Sequence, residues 1–174
     1  MVDQAFENKA KKIKLVATDI DGVWTDGTMY YSPQGEAMKA FSTYDGMAVA
    51  MLRKAGLEVA ILTGENSATV KARAEKLKIP HLFLGEQNKA QRLQELCTQF
   101  KIDISEVAYI GDDINDTEVL EMVGLSALAC NSPILDNLKP DYVTRRKGGQ
   151  GAFRDFVDCI LKAKTVGVNN YSTV

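Results

Sequence analysis

A chain of 174 residues is long enough to bury about 70% of its unfolded surface around one core, without a disulfide frame or a structural metal. Lys and Arg number 21 against 23 Asp and Glu, a net charge of −2, and 45% hydrophobic with 25% charged residues excludes a disordered chain and a basic nucleic-acid footprint. The longest apolar run, 57–62, falls well short of the roughly 18 residues of a membrane span. No cleavage-type segment follows the lysine-bearing start, so a cytoplasmic protein with no membrane or nucleic-acid partner is expected.

Short β-rich apolar runs alternate with segments of helical period, the pattern of parallel strands joined by crossover helices. In chain order the strands are expected at 13–18, 57–62, 81–84, 107–110, 125–129 and, more weakly, 142–144. The helices are expected at 47–54, 67–77, 90–100, 116–123, 132–138 and 152–162. The fold class is therefore α/β, a doubly wound, Rossmann-like parallel sheet between helices, in a single domain over 1–174.

One stretch breaks the alternation. Residues 28–31 and 36–41 read as two strands around Ser32-Pro33-Gln34-Gly35, a β-hairpin arm over 28–41. Met29, Tyr30, Tyr31, Met38 and Phe41 make it more apolar than a solvated ribbon, and a lone hairpin is marginal in water, so something is expected to pack against it. The end, 165–174, lacks any period and reads as a flexible tail. Cys97, Cys130 and Cys159 are odd in number and far apart, which suits reduced thiols, and His81 at a strand start reads as structural.

In a doubly wound sheet, ligands sit beyond the carboxyl ends of the strands. Here those ends are acidic: the first strand runs into Asp19-Ile20-Asp21-Gly22, the fourth into Gly111-Asp112-Asp113-Ile114-Asn115-Asp116. Turn and cap chemistry accounts for either cluster alone. Both on one edge would crowd carboxylates at a cost that a hard, oxygen-ligated cation such as Mg²⁺ relieves. Thr63-Gly64 and Lys89 on the same edge add a hydroxyl, a free amide and a cation, a donor set for a phosphoryl group. Asp19 would attack phosphorus, giving an aspartyl-phosphate, and Asp21 would protonate the leaving oxygen and then deprotonate water.

The ordered set Asp19-x-Asp21-Gly22, Thr63-Gly64, Lys89 and Gly111-Asp112-Asp113-x-x-Asp116 resembles the haloacid dehalogenase superfamily of phosphatases. The resemblance implies Asp19 as nucleophile, Asp21 as acid and base, Thr63, Gly64 and Lys89 on the phosphate, and Mg²⁺ on Asp19, Asp112 and the backbone carbonyl of Asp21. Asp113 and Asp116 are expected in support, or as plain helix caps. Most members of the superfamily insert a cap domain near the first two motifs. Here the intervals hold only the hairpin and one helix, then one helix and one strand, so no cap domain is expected. That is similar to the capless subfamily that hydrolyses 3-deoxy-D-manno-octulosonate 8-phosphate, whose members form tetramers with the hairpins at the centre. The likeness takes in Tyr44-Asp45-Gly46-Met47 and the stretch 148–154, which in the family lies near an adjacent subunit's active site.

Octulosonate phosphatases usually carry Arg directly after the Thr-Gly of the second motif, where this chain has Glu65. Lys76, eleven residues on, falls on the same side of a helix roughly 16 Å away along the axis, too far for a direct pair. Lys76 or Arg73 would then serve a neighbouring subunit's site. Glu65 with Lys76 resembles the sister group acting on 2-keto-3-deoxy-D-glycero-D-galacto-nononate 9-phosphate, so the nine-carbon acid is the expected substrate and the eight-carbon acid the alternative. The plainer reading makes Glu65 first-turn helix charge and Arg73 and Lys76 a solvated face. A signalling receiver is excluded by motif order, and a catalytically weak regulatory module for a sugar-acid activating enzyme stays open until turnover is measured.

Overall fold

The computed structural model describes residues 2–165. Its chain order is α1 (Gln4–Lys12), β1 (Leu15–Thr18), β2 (Tyr30–Ser32), β3 (Gly35–Met38), α2 (Thr43–Lys54), β4 (Glu58–Leu62), α3 (Ala68–Leu77), β5 (His81–Phe83), α4 (Lys89–Phe100), β6 (Val107–Gly111), α5 (Thr117–Met122), β7 (Leu125–Leu128), β8 (Tyr142–Val143) and α6 (Ala152–Thr165). Six strands form one parallel sheet in the order β5-β4-β1-β6-β7-β8, and β2 and β3 form a separate antiparallel hairpin. The chain leaves central β1 for β4 and β5 on one side, then crosses back to β6 on the other. The carboxyl ends of β1 and β6 thus flank the switch point where such sheets open a crevice.

Period-two alternation decides which face each strand residue serves. Val16, Val59, Ile61, Ala108 and Ile110 meet Phe6, Leu52, Val70, Phe153 and Phe156 of α1, α2, α3 and α6. Leu15, Ala17, Ala60, Leu62, Val107 and Tyr109 meet Leu93, Leu96, Val119 and Leu120 of α4 and α5. Burial on both faces explains why these strands read as continuous apolar runs. The Rossmann-like sheet with its hairpin and no cap domain is as the sequence predicts.

The differences have local causes. Helix α1 was not expected. Its only buried side chains are Phe6 and Ala10, too few for a periodic signal, yet Asp3 caps it by accepting from the Phe6 amide at 2.8 Å, and Lys9, Lys11 and Lys12 sit at its carboxyl end. Helix α2 starts at Thr43 rather than 47, because Ser42 caps it, so Tyr44 to Met47 form its first turn and a half. The helix expected at 132–138 is a run of turns. The Leu138 amide closes a single helical turn on the Ile134 carbonyl, and Pro140 just beyond disfavours helical geometry at Lys139. The hairpin strands are shorter than the arm predicted over 28–41, with an irregularity between Tyr30 and Tyr31. The three cysteines are free, and His81 packs edge-on against Phe100. The tail predicted over 165–174 lies outside the described residues, save Thr165 at the end of α6.

Candidate active site

Asp19 follows β1 directly, and its amide, donating to the Ile110 carbonyl at 3.0 Å, carries the sheet ladder to the end of the strand. Its carboxylate is almost wholly buried, taking the Ile20 amide on Oδ1 at 2.7 Å and the Lys89 ammonium on Oδ2 at 2.9 Å. The Asp19 carbonyl accepts from Thr18 Oγ1, which in turn accepts from the indole N–H of Trp24 at 3.1 Å. Trp24 is fully buried and stacks on Phe153 at 4.9 Å, so it braces the strand end.

Lys89 is the first residue of α4, brought there because Asn88 caps the helix by accepting from the Gln91 amide. Its ammonium bridges Asp19 and Asp116 Oδ1, the latter at 2.7 Å. Burial alone would lower its pKa, but the attraction of Asp19 and Asp116 outweighs burial and raises it. Asp116 is completely buried and saturated: Oδ1 also takes the Tyr109 hydroxyl at 2.6 Å, and Oδ2 takes the Asp112 and Asp113 amides at 2.9 and 3.4 Å. Its work is to hold Lys89 and to fold the segment after β6. Gly111 permits this, since a Cβ there would stand 2.3 Å from Asp116 Oδ2.

Asp112 is drawn towards the first motif by the same fold-back. Ser132 donates its hydroxyl to the Asp112 carbonyl, giving the turn segment 132–138 a positioning role. Asp19, Asp112 and Asp116 can each bring one carboxylate oxygen within 4.8 Å of the others. Burial, then the charge of Asp116, pushes Asp19 up to about 7, and burial, then the charge of Asp19, pushes Asp112 up to about 8. Carboxylates so crowded keep their charge only beside a cation; each oxygen of Asp116 already accepts two donors, whereas each oxygen of Asp19 accepts one, so Asp19 and Asp112 are the pair with lone pairs left to ligate one.

A cleft of about 230 Å³ opens over these groups, lined by Asp19, Asp21, Thr63, Gly64, Glu65, Asp112, Asp113 and Asn115 among others. Thr63 is buried at the end of β4, its amide on the Phe83 carbonyl at 3.0 Å. Glu65 is exposed at the lip. Asp113 is exposed too and caps the short turn Ile114–Asp116 through the Ile114 amide. Arg73 and Lys76 lie elsewhere. Arg73, on α3, donates to the Ser42 carbonyl at 3.2 Å and lies over Phe41, and Lys76 is exposed on the last turn of α3. Within this chain the structure therefore gathers Asp19, Asp21, Thr63, Gly64, Glu65, Lys89, Asp112, Asp113 and Asp116, and leaves Arg73 and Lys76 outside.

Several residues that shape the site escaped the sequence reading. Lys39, just past β3, has a fully buried side chain and pairs with Asp21 and Glu36. Being the one lysine of the arm 28–41 was the only available sign. Tyr109 and Ser132 carried none. The stretch 148–154 packs against its own chain at its start: the Gly149 amide donates to the Val23 carbonyl, and a Cβ on Gly148 would stand 1.9 Å from the Gly22 carbonyl oxygen.

A haloacid dehalogenase-like hydrolase family model matches residues 36–124. The chain is 40% identical over 156 residues, 90% of its length and 83% of the relative, to 3-deoxy-D-manno-octulosonate 8-phosphate phosphatase KdsC of Yersinia pestis. The crystal structure of the Yersinia pestis phosphatase superposes with a TM-score of 0.90 at 39% identity, covering 94% of this chain and 88% of that one. The Moraxella catarrhalis phosphatase, in complex with a magnesium ion, a phosphate ion and a KDO molecule, superposes with a TM-score of 0.86 at 36% identity, covering 96% and 98%. The chain belongs to the haloacid dehalogenase-like hydrolases.

Proposed function

We propose that this hydrolase is a Mg²⁺-dependent phosphomonoesterase for 3-deoxy-D-manno-octulosonate 8-phosphate. That it is a phosphatase rests on its family and on phosphatase relatives of nearly equal length. One observation carries the mechanism: Lys89 grips Asp19 Oδ2 while Thr63 and Asp112 face the same cleft, so a nucleophilic carboxylate, a phosphate-binding hydroxyl and an ion ligand converge. Asp19 and Asp112, with the Asp21 carbonyl, would hold the ion, which neutralises phosphate charge when bound. Asp19 forms an O–P bond as the sugar–phosphate P–O bond breaks, and the leaving oxygen takes a proton from Asp21. Water then attacks phosphorus, gives its proton to Asp21, and frees Asp19 and inorganic phosphate. Thr63, the Gly64 backbone and Lys89 hold the equatorial oxygens.

The eight-carbon acid displaces the nine-carbon acid as first choice because the relatives at 40% identity act on it and one related structure holds a KDO molecule. A specific observation keeps the nine-carbon reading in view: Glu65 stands at the lip of the cleft, where an anionic sugar acid would enter. Parallel measurement of kcat/KM decides between them. The proposal expects at least tenfold preference for the eight-carbon ester, about 1.4 kcal/mol of transition-state binding. The reverse preference assigns Glu65 a role in substrate choice, and turnover of neither supports a regulatory module.

Assembly belongs to the same proposal. Tyr30, Tyr31 and Met38 of the hairpin and Tyr44 and Met47 of α2 are all at least half exposed, a concentration of apolar side chains that solvated single domains avoid. We infer that the arm packs against other copies in a tetramer, closing the cleft that lacks a cap and leaving Arg73 and Lys76 to face a neighbour's substrate.

A further inference from the structure

The side chain of Lys39 has no exposed surface, although it sits on the return from an exposed hairpin. Burying an ammonium is costly unless it is paired, and both of its partners are carboxylates. One is Asp21 Oδ1, the other Glu36 Oε2 at 3.4 Å. Glu36 also accepts from the hydroxyl of Ser67, and that hydroxyl caps α3 by accepting from the Val70 amide at 3.2 Å. The hairpin is thus tied at its base to two motif-bearing segments, the loop after β1 and the helix after β4. Asp21 has one further contact on Oδ1, the Thr25 hydroxyl at 3.4 Å, while its Oδ2 is buried without a hydrogen-bond partner among the described residues. Buried carboxylate oxygens rarely lack a partner in a resting protein, and an exception calls for a functional explanation.

We propose that Lys39 is a positioning residue for the acid–base step: by holding Asp21 Oδ1, braced through Glu36 and Ser67, it fixes the carboxyl at the cleft and leaves Oδ2, which has no bond to break, to turn to the leaving group and then to water. This deepens the phosphatase reading and rests on it. It makes correct seating of the hairpin a condition of proton transfer, so the apolar arm and the chemistry are coupled through one ion pair. Thr25 at 3.4 Å is too distant to fix the carboxylate unaided.

The test compares two esters. The sugar-acid phosphate has an alkoxide leaving group that needs a proton, whereas p-nitrophenyl phosphate has one that does not, and kcat/KM reports the step in which that group departs. Lys39→Met should lower kcat/KM at least about tenfold for the sugar ester and less than about threefold for the aryl ester. Lys39→Arg should recover part of the loss. Glu36→Gln, which removes the brace and keeps the lysine, should give the same selective pattern at a few-fold, and it carries the test if Lys39→Met does not fold. Equal loss on both esters, or no loss, overturns the positioning role. Asp21→Asn is run alongside: a selective defect there with none in Lys39→Met sinks this inference alone, whereas a parent protein that cleaves neither ester overturns the phosphatase reading and this inference with it.

Discussion

Gly22 lies against Asp112 so closely that a Cβ on the glycine would stand 1.7 Å from Asp112 Oδ2. Its backbone, at φ +80°, is also one that L side chains rarely adopt. The glycine of the first motif is therefore what lets the acidic residue of the last motif reach the nucleophile. Gly22→Ala should raise the Mg²⁺ concentration needed for half-maximal activity by tenfold or more and destabilise the fold by about 1–3 kcal/mol through strain. Activity titrated against Mg²⁺ and a melting curve check both, and an unchanged Mg²⁺ requirement would contradict this account of the glycine.

A second close approach lies below the first. A Cβ on Gly148 would stand 1.9 Å from the Gly22 carbonyl oxygen and 2.8 Å from that of Thr25, so Gly148→Ala should push the loop after β1 away from Asp112. The expected result is a fall in kcat at saturating Mg²⁺. Wild-type kcat in this variant would show that the glycine loop only closes the fold.

Lys89 lies between two buried carboxylates, with side-chain exposures of 3% for the lysine, 6% for Asp19 and 0% for Asp116. Removing one partner of a buried set strands charge rather than merely deleting a bond. Lys89→Met should cost roughly 3–5 kcal/mol at neutral pH. The loss should shrink in acid, where Asp19, pushed up to about 7 by burial and then by the charge of Asp116, takes up a proton. Urea unfolding at two pH values tests this, and an equal loss at both would mean that the lysine contributes mainly packing.

Mg²⁺ and pH should be linked. Asp19 and Asp112 are held up at about 7 and about 8, first by burial and then by neighbouring carboxylates, against an ordinary 3.8. Between the ordinary value and about 8 the metal-free folded chain binds more protons than the unfolded chain, so its stability falls as pH rises through that window. A cation binds the deprotonated pair and displaces those protons. The rise in melting temperature on adding Mg²⁺ should accordingly be larger at pH 8 than at pH 5.5. A rise independent of pH would place the ion elsewhere.

The hairpin supplies a prediction about assembly. Tyr31 is 67% and Met38 58% exposed, and a two-stranded ribbon has little to stabilise it alone. Tyr31→Lys with Met38→Lys should convert the proposed tetramer into a smaller species by light scattering and weaken binding of the sugar ester. A parent protein that is monomeric and fully active would remove the subunit-capping role of the arm.

The sheet was legible because strands buried on both faces read as unbroken apolar runs, and the candidate site because Asp19, Thr63 and Asp112 fall directly after such strands, with Lys89 opening the helix that follows β5. The rule that ligands gather at the carboxyl edge brings Asp19, Thr63, Lys89 and Asp112 forward as candidates, and the family resemblance distributes the roles expected of them. What could not be read were relationships fixed by packing across distant segments. Helix α1 buries only Phe6 and Ala10, so its apolar face is too sparse to register. Segment 132–138 has the composition of a helix but is held as turns, with the hydroxyl of Ser132 spent on the Asp112 carbonyl. Asp116 reads from sequence as a supporting residue or a helix cap, and its four donors show that the support it gives is to Lys89 and to the segment after β6. Lys39 meets Asp21 from 18 residues away, a pairing no local pattern encodes.

The central claim is that Asp19 attacks phosphorus of an eight-carbon sugar-acid phosphate. Its most direct test is phosphate release from 3-deoxy-D-manno-octulosonate 8-phosphate with Mg²⁺, measured for the parent and for Asp19→Asn, with a chelator control. The account predicts turnover by the parent, its loss with chelator, and a fall of about 10³-fold or more in Asp19→Asn, since the amide cannot form the acyl-phosphate. Wild-type rates in Asp19→Asn, or an inert parent, would contradict it.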